Sequence, residues 1–142
     1  MRKMFFVIGL SLLFLNVNGQ VDAAANDWDL IRTTLNRYIY GQATSDSVMV
    51  GQAFDNSWQL KFYRENKLTV VPKSQYLVGY KKRDSKPDHW DGRIVFIDIS
   101  NDIAVAKVEI STSKLLFTDY FNLLKTDKGW LIVDKVSTRV PH

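Results

Sequence analysis

The alternation of apolar and polar residues first follows the three-to-four spacing of an amphipathic helix. Five large apolar residues share one face of this helix: Trp28, Ile31, Leu35, Tyr38 and Ile39. Asn26 and Asp27 are suitable residues for its N-terminal cap, and Gly41 indicates that it weakens and ends soon afterwards. The pattern therefore predicts one long helix near the start of the chain.

A short second helix over residues 48–54, capped by Ser45 or Asp46, is predicted next. The period then changes to the alternation of a β-strand over residues 58–63, and a returning strand ends at Pro72. Pro72 is also well suited to the first turn of a third helix, because its fixed backbone angle costs nothing there.

The second half of the chain predicts strands joined by tight turns, over residues 93–99, 103–111, 115–125 and 130–137. Helices gathered before an antiparallel meander indicate an α+β fold, with the helices laid across one face of a curved sheet. Ala104 and Ala106 share one side of their strand, where small residues let a helix approach. Strands that curl around a helix leave the wide end of the fold unfilled, so we expect a pocket there.

The first 25 residues have the order of a cleavable export signal. Arg2 and Lys3 precede an apolar run over residues 4–15, and small residues allow cleavage after Gly19 or after Ala25. The run of about 12 residues is shorter than the roughly 20 that span a bilayer, which favours a cleaved signal over a membrane anchor. We therefore expect a single mature domain over residues 26–142, without a membrane span, that is periplasmic or secreted.

Composition excludes several classes of site. The chain has no cysteine, which excludes a disulfide, a thiolate metal site and lipid attachment at a cysteine. Without Arg2 and Lys3 it has 17 basic residues of the 19 in the full chain, against 15 acidic ones. This excess is too small to indicate nucleic-acid binding. A phosphate-binding glycine loop, a Gly-x-Ser-x-Gly elbow and a metal-spaced histidine cluster are all missing from the sequence, so no cofactor or metal is expected.

A family resemblance is carried by two C-terminal stretches, Phe117-Thr118-Asp119-Tyr120-Phe121-Asn122-Leu123-Leu124-Lys125 and Gly129-Trp130-Leu131-Ile132-Val133. They are similar to the C-terminal signature of the putative lumazine-binding family, which belongs to the nuclear transport factor 2-like, polyketide-cyclase-like superfamily. Upstream, the helical start of that family is similar to Tyr38-Ile39 with Gly41, followed by Ser45-Asp46 and Ala53-Phe54, and its central hairpin is similar to residues 94–108. The resemblance covers most of residues 27–137.

This resemblance implies a cone-shaped nuclear transport factor 2-like fold and a homodimer formed through the outer face of the sheet. The family name implies a flat, partly polar ligand, and the superfamily includes enzymes of the isomerase, dehydratase and cyclase types. Family members often carry a His-Pro pair where this chain has Asp55-Asn56-Ser57, so no ligand role is carried over to that position.

Asp119 is the candidate catalytic residue. It lies in the middle of a predicted strand between aromatic and aliphatic residues, where a carboxylate is unusual. If it lines the pocket, desolvation would make it a general base or a hydrogen-bond donor; if it faces outward, it pairs with Lys107 or Lys135. The paired alternative is preferred. Glu109 and Lys107 share a strand face and favour a salt bridge.

The two histidines are weaker candidates. His142 is the terminal residue, and His89 lies in a charged loop beside Asp88 and Asp91. A single imidazole with loop carboxylates is poor support for a metal site, so we interpret His89 as a surface residue.

The predicted ligand-binding residues are aromatic, because aromatic walls and tyrosine hydroxyls suit a small hydrophobic or aromatic ligand: Tyr38, Phe54, Trp58, Tyr76, Tyr80, Trp90 and Tyr120. We expect a small-molecule-binding domain first, with no catalytic activity. The alternatives are an isomerase-, dehydratase- or cyclase-type enzyme that uses Asp119 as general base, and a dimeric interaction module.

Overall fold

A computed structural model describes the backbone of residues 18–142 and the side chains from residue 26 onward. Most of the predicted export signal, residues 1–25, therefore lies outside the described residues. The elements in chain order are α1 (Asn18–Thr44), α2 (Ser47–Ala53), β1 (Phe54–Arg64), β2 (Lys67–Pro72), α3 (Lys73–Leu77), β3 (Asp91–Ser100), β4 (Ile103–Ser111), β5 (Leu115–Thr126) and β6 (Gly129–Pro141).

The six strands form one curved, unclosed sheet in the order β2-β1-β6-β5-β4-β3. Neighbouring strands are antiparallel except β1 and β6, which run parallel. α1 lies against β3 and β6, and α3 lies against β1. The predicted α+β fold, with helices before a mostly antiparallel curved sheet, is confirmed. We call the face of the sheet towards the helices the inner face and the opposite face the outer face.

The core lies between α1 and the inner face. Alternate residues of β4, beginning with Ala104 and Ala106, are buried, as are Ile31 and Leu35 of α1. Trp58 is also fully buried and stacks on Phe54, with ring centroids 4.0 Å apart. Burial of this apolar surface is the main source of stability for a domain without disulfides.

The start of α1 differs from the prediction. The helix begins before Asn26 and Asp27, so neither residue caps it. The Asp27 carboxylate instead accepts hydrogen bonds from Lys125 and Trp130, on either side of the β5–β6 turn. Trp28 was predicted on the buried face but is exposed, and the Arg32 guanidinium lies 4.7 Å from its ring centroid. At this end of the helix, Thr34 occupies the inward position and donates a hydrogen bond to the Trp130 carbonyl.

The junction between α1 and α2 explains Gly41. This glycine lies inside α1, and a Cβ there would come within 2.6 Å of a Val50 methyl group and 2.9 Å of the Val50 amide nitrogen. The glycine therefore lets α2 pack closely instead of ending α1. Asp46 caps α2 as predicted: its Oδ1 accepts hydrogen bonds of 3.0 Å from the amides of Val48 and Met49. Among residues 18–142, no helix is both long and apolar enough to cross a membrane.

Candidate functional site

A cavity of about 220 Å³ lies between α1, α3 and the inner face of the sheet. Its lining combines aliphatic and aromatic walls with a cluster of polar groups. The lining residues are Tyr38, Gln42, Leu60, Phe62, Arg64, Tyr76, Ile110, Phe117, Asp119, Lys135, Ser137, Thr138 and Arg139. Ligand sites in proteins are commonly apolar cavities with a few convergent polar groups, so this cavity is the candidate site.

Strand alternation places the side chains in the cavity. Every second residue of a strand points to the same face, and the cavity receives three such runs. They are Leu60, Phe62 and Arg64 of β1, Lys135, Ser137 and Arg139 of β6, and Phe117 and Asp119 of β5.

Asp119 is the centre of the polar cluster. Its Oδ2 accepts a hydrogen bond of 2.6 Å from the Tyr38 hydroxyl and one of 3.4 Å from Lys135 Nζ, and its Oδ1 accepts one of 2.6 Å from Ser137 Oγ. The side chains of Asp119 and Lys135 are only 3% and 5% exposed. Asp119 therefore lines the cavity and also forms a buried ion pair with Lys135. The expected pairing is present, but the outward orientation that the sequence analysis attached to it is wrong.

Lys135 joins this carboxylate to the tyrosines. Its Nζ donates to the hydroxyls of Tyr38 at 2.9 Å and Tyr76 at 3.3 Å, so with Asp119 all three of its protons have acceptors. The same nitrogen lies 5.1 Å and 5.0 Å from the centroids of the two tyrosine rings, within the range of a cation–π contact. Gln42 Nε2 extends the network by donating to the hydroxyls of Tyr76 and Tyr80, each at 2.6 Å.

The tyrosines are protonated at neutral pH. Burial raises the pKa of Tyr38 well above its ordinary value, and the Asp119 charge raises it further. Burial also raises the pKa of Tyr76 and of Tyr80. Because the Asp119 and Lys135 charges are opposite, the inner cluster is electrically balanced and offers fixed dipoles. A hydrogen-bonded buried network of this kind is rigid, so these polar groups are held in fixed positions at the cavity wall.

The predicted aromatic residues divide into two groups. Tyr38 and Tyr76 line the cavity. Tyr80 is outside the lining and is connected to it by a hydrogen bond from Gln42, a lining residue. Phe54 and Trp58 form the support behind Tyr76, with centroids 6.1 Å and 4.9 Å from its ring.

Trp90 and Tyr120 lie elsewhere. Trp90 contacts Gly92 and lines a separate groove beside α1 with Ile39. Tyr120 is 50% exposed on the outer face, with its ring 6.3 Å from that of Phe96. A strand residue next to an inward Asp119 must point outward, so Tyr120 does not contribute to this cavity.

The sequence pattern does not indicate several of the cavity residues as ligand contacts: Gln42, Arg64, Lys135, Ser137 and Arg139. Lys135 was named only as an ion-pair partner of Asp119. The other named partner, Lys107, instead pairs with Glu109 at 2.8 Å, and Glu109 also binds Arg93 at 2.6 Å.

The loop histidine lies away from this site. His89 is exposed in the loop before β3 and has a φ of 56°. Within the described part of the chain, no group of three His, Asp or Glu side chains is arranged to hold a metal ion.

Solved structures with the same fold confirm the architecture. A nuclear transport factor 2-like protein of unknown function from Shewanella baltica is 27% identical, with a TM-score of 0.75 over 83% of this chain and 97% of that chain. A second such protein, from Silicibacter pomeroyi, is 18% identical, with a TM-score of 0.73 over 82% of this chain and 98% of that chain.

A more distant structure is a ketosteroid isomerase-like protein from Erwinia carotovora atroseptica, which is 13% identical. Its TM-score is 0.59, over 79% of this chain and 95% of that chain. At this identity the likeness shows the fold alone. A comparison with curated protein sequences finds no match.

The sequence model of the family described as "Putative lumazine-binding" matches residues 26–137. This range contains α2, α3, all of β1 to β5 and the part of β6 that supplies Lys135 and Ser137 to the cavity. The resemblance drawn from the C-terminal stretches is thereby confirmed: the chain belongs to the putative lumazine-binding family, within the nuclear transport factor 2-like fold.

Proposed function

We propose that this protein binds a small molecule in the cavity between α1, α3 and the inner face of the sheet. The observation that carries the proposal is the buried cluster of Asp119, Lys135, Tyr38 and Tyr76, which opens onto a cavity walled by apolar side chains. Burying an ion pair is costly unless its geometry is excellent. A buried ion pair beside a cavity therefore adds little to the stability of the fold. Its polar groups are instead available to a ligand in that cavity.

The first experiment is a thermal-shift screen of the domain over residues 26–142 against flavin, lumazine, pterin, steroid and fatty-acid compounds. A molecule that binds only the native state raises the apparent stability, so we expect one chemical class to raise the melting temperature. Tyr76→Phe removes one cavity hydroxyl and is expected to weaken that shift. Tyr120→Phe is the matched control on the outer face and is expected to leave it unchanged. Equal effects of the two variants would contradict this location.

A proton-transfer enzyme of the isomerase type is the second candidate, since Asp119 lines the cavity. The contacts favour binding over catalysis, because the carboxylate already accepts hydrogen bonds from Tyr38, Lys135 and Ser137. A general base needs an oxygen free to reach the substrate. Turnover that is lost in a folded Asp119→Asn variant, with a pH–rate profile to match, would favour the enzyme; unchanged turnover would exclude Asp119 as base.

We further propose that two copies associate through the outer face. Paired positions on four neighbouring strands place Phe96, Lys107, Tyr120 and Val136 in one row, and three of them are 41–50% exposed apolar or aromatic side chains. Contiguous exposed apolar surface commonly marks an interface. Sedimentation at micromolar concentration is expected to give a dimer that Tyr120→Lys dissociates, and a monomeric wild-type protein would refute it.

Export is the last part of the proposal. It rests on the order of charged, apolar and small residues over residues 1–25. Expression of the full chain in a bacterial host, followed by N-terminal sequencing of the periplasmic fraction, is expected to find a chain that starts at Gln20 or Asn26. An intact Met1 in the cytoplasm would contradict it.

A further inference from the structure

Two arginines lie at the mouth of the cavity. Arg64 ends β1 and Arg139 lies near the end of β6, and both are exposed residues that line the cavity. The parallel pairing of β1 with β6 matches Lys61 to Val136, and each arginine lies three residues further along its strand. Beyond this last pair the two strands continue in the same direction, and both arginine side chains line the cavity at the end that these strands reach.

The positive charges at this mouth have no acidic partner in the described residues. Arg64 and Arg139 take part in no salt bridge there, and Arg64 lies over the Phe62 ring, with its guanidinium carbon 4.8 Å from the centroid. The residue opposite Arg64 on β2 is Lys67, which adds a third positive charge. Like charges directly opposite each other on paired strands are destabilising, so the Arg64–Lys67 pair costs stability unless an anion lies beside it.

The cavity itself supplies no compensation. Asp119 is the single acid among its described lining residues, and its charge is already matched by Lys135 at 3.4 Å. The lining therefore carries an excess of two positive charges, both at the mouth. A guanidinium presents a planar fork of donors that binds a carboxylate or phosphate through paired hydrogen bonds.

We propose that the ligand is a small organic anion, with its carboxylate or phosphate between Arg64 and Arg139 and its apolar body inside the cavity. This inference rests on the proposed binding function and names the class of ligand. The body contacts Leu60, Phe62 and Phe117, and its inner end reaches the Tyr76 hydroxyl. The volume of about 220 Å³ lies below the roughly 300–1,000 Å³ of typical ligand pockets, so the body is small.

The test uses three probes with one ring system: 2-naphthoate, 2-naphthyl phosphate and the neutral 2-naphthamide. Titration calorimetry is expected to show that at least one anion binds at least tenfold more tightly than the amide. Comparing the carboxylate with the phosphate distinguishes the two headgroups. Arg64→Gln and Arg139→Gln are each expected to weaken binding of that anion by about tenfold, because each removes charge-assisted hydrogen bonds, and to leave binding of the amide unchanged.

Arg83→Gln is the charge-matched control, because Arg83 lies in the exposed loop before β3, outside the cavity lining. It is expected to bind the anions as the wild type does. A second readout needs no ligand: Arg139→Gln is expected to raise the melting temperature at low salt, by relieving repulsion, whereas Arg83→Gln is not.

The outcomes separate this inference from the proposed function. If the amide binds as tightly as the anions, or if the two cavity arginine variants bind the anions like Arg83→Gln, the anionic class is wrong and the cavity remains a binding site. If none of the three probes binds at millimolar concentration, the anionic class is refuted, whatever the melting temperature of Arg139→Gln. The panel screen described above then decides the proposed function by itself.

Discussion

Two buried carboxylates in this protein, Asp27 and Asp119, have similar hydrogen-bond donors and different surroundings. Asp27 of α1 accepts hydrogen bonds from Lys125 Nζ at 2.9 Å and from the Trp130 indole at 3.0 Å. Asp119 of β5 accepts them from Lys135, a tyrosine and a serine. Each is an aspartate with one lysine and one aromatic donor.

Their surroundings differ. Asp27 lies where α1 meets the β5–β6 hairpin, and Lys125 beside it is 48% exposed. The pair is in contact with water and ties one end of the helix to the sheet. Asp119 and Lys135 are sealed from solvent except through the cavity, and their partners continue to Tyr76 and Gln42. The cavity beside Asp119 therefore makes its ion pair part of the candidate site, whereas the Asp27 pair connects the helix to the sheet.

The largest expected effect comes from breaking the sealed pair. Lys135→Met leaves the Asp119 charge buried without its partner, and we expect a loss of about 3–5 kcal/mol in the free energy of unfolding. Urea denaturation followed by circular dichroism measures it. Lys107→Met, which breaks the outer-face pair with Glu109, is the matched control and is expected to cost much less.

A double variant keeps this prediction testable if Lys135→Met does not fold. Lys135→Met with Asp119→Leu removes both charges, and replacing a whole buried pair by apolar residues is often neutral. We expect it to recover most of the stability and none of the ligand binding. If Lys135→Met alone is as stable as Lys107→Met, the Asp119 carboxylate is not excluded from solvent.

The second prediction concerns Asp27→Asn, which is expected to lower the stability of the fold without changing ligand binding. Asp27→Asn weakens hydrogen bonds to a charged acceptor that is close to solvent, and we expect a loss of about 1–2 kcal/mol in the free energy of unfolding. Binding of 2-naphthoate is expected to stay as in the wild type, whereas Asp119→Asn, which leaves the Lys135 charge unmatched beside the cavity, is expected to change it. Calorimetry on both variants decides this, and a binding loss in Asp27→Asn would remove the functional distinction between the two carboxylates.

The fold was predictable from the sequence where the buried residues recur with the period of a helix or a strand. The apolar face of α1 and the buried alternation of Ala104 and Ala106 are visible in the sequence, because 3.6- and two-residue periods report local geometry. The parallel pairing of β1 with β6 was not predicted, since it joins segments more than 70 residues apart and no turn between them fixes it. That pairing also brings the strands of Arg64 and Arg139 to the same cavity.

The site was predictable in part for a related reason. Asp119 is conspicuous because a carboxylate is unusual in an apolar strand. Lys135 would be placed outward by simple alternation from the buried Trp130 and Ile132. The register shift between Asn122 and Leu123 changes the alternation of β6 at that point and turns Lys135 inward. A sequence period cannot show a shift in pairing, so the inward lysine emerged only from the structure.

A smaller effect is the acid sensitivity of the Asp27 tie. Hydrogen bonds from Lys125 and Trp130 lower the pKa of Asp27 below its ordinary 3.8. Folding therefore favours the ionised form, so the stabilisation is fully present above about pH 4 and is lost as the pH falls through the lowered pKa. We expect the stability difference between wild type and Asp27→Asn to shrink as the pH falls from 5 towards 2.5, measured by urea denaturation at each pH. A constant difference would show that the charge is not involved.

The smallest expected effect is that of breaking the more exposed ion pair, between Lys125 and Asp27. Lys125→Met makes the same substitution as Lys135→Met, at the lysine that pairs with Asp27. Because Lys125 is half exposed and Asp27 keeps the Trp130 indole and contact with water, we expect a loss of about 0–1 kcal/mol in the free energy of unfolding, smaller still at high salt. Urea denaturation at low and high salt measures it beside Lys135→Met. A loss as large as that of Lys135→Met would mean that both pairs are sealed, and exposure would then no longer distinguish the Asp27 pair from the pair in the candidate site.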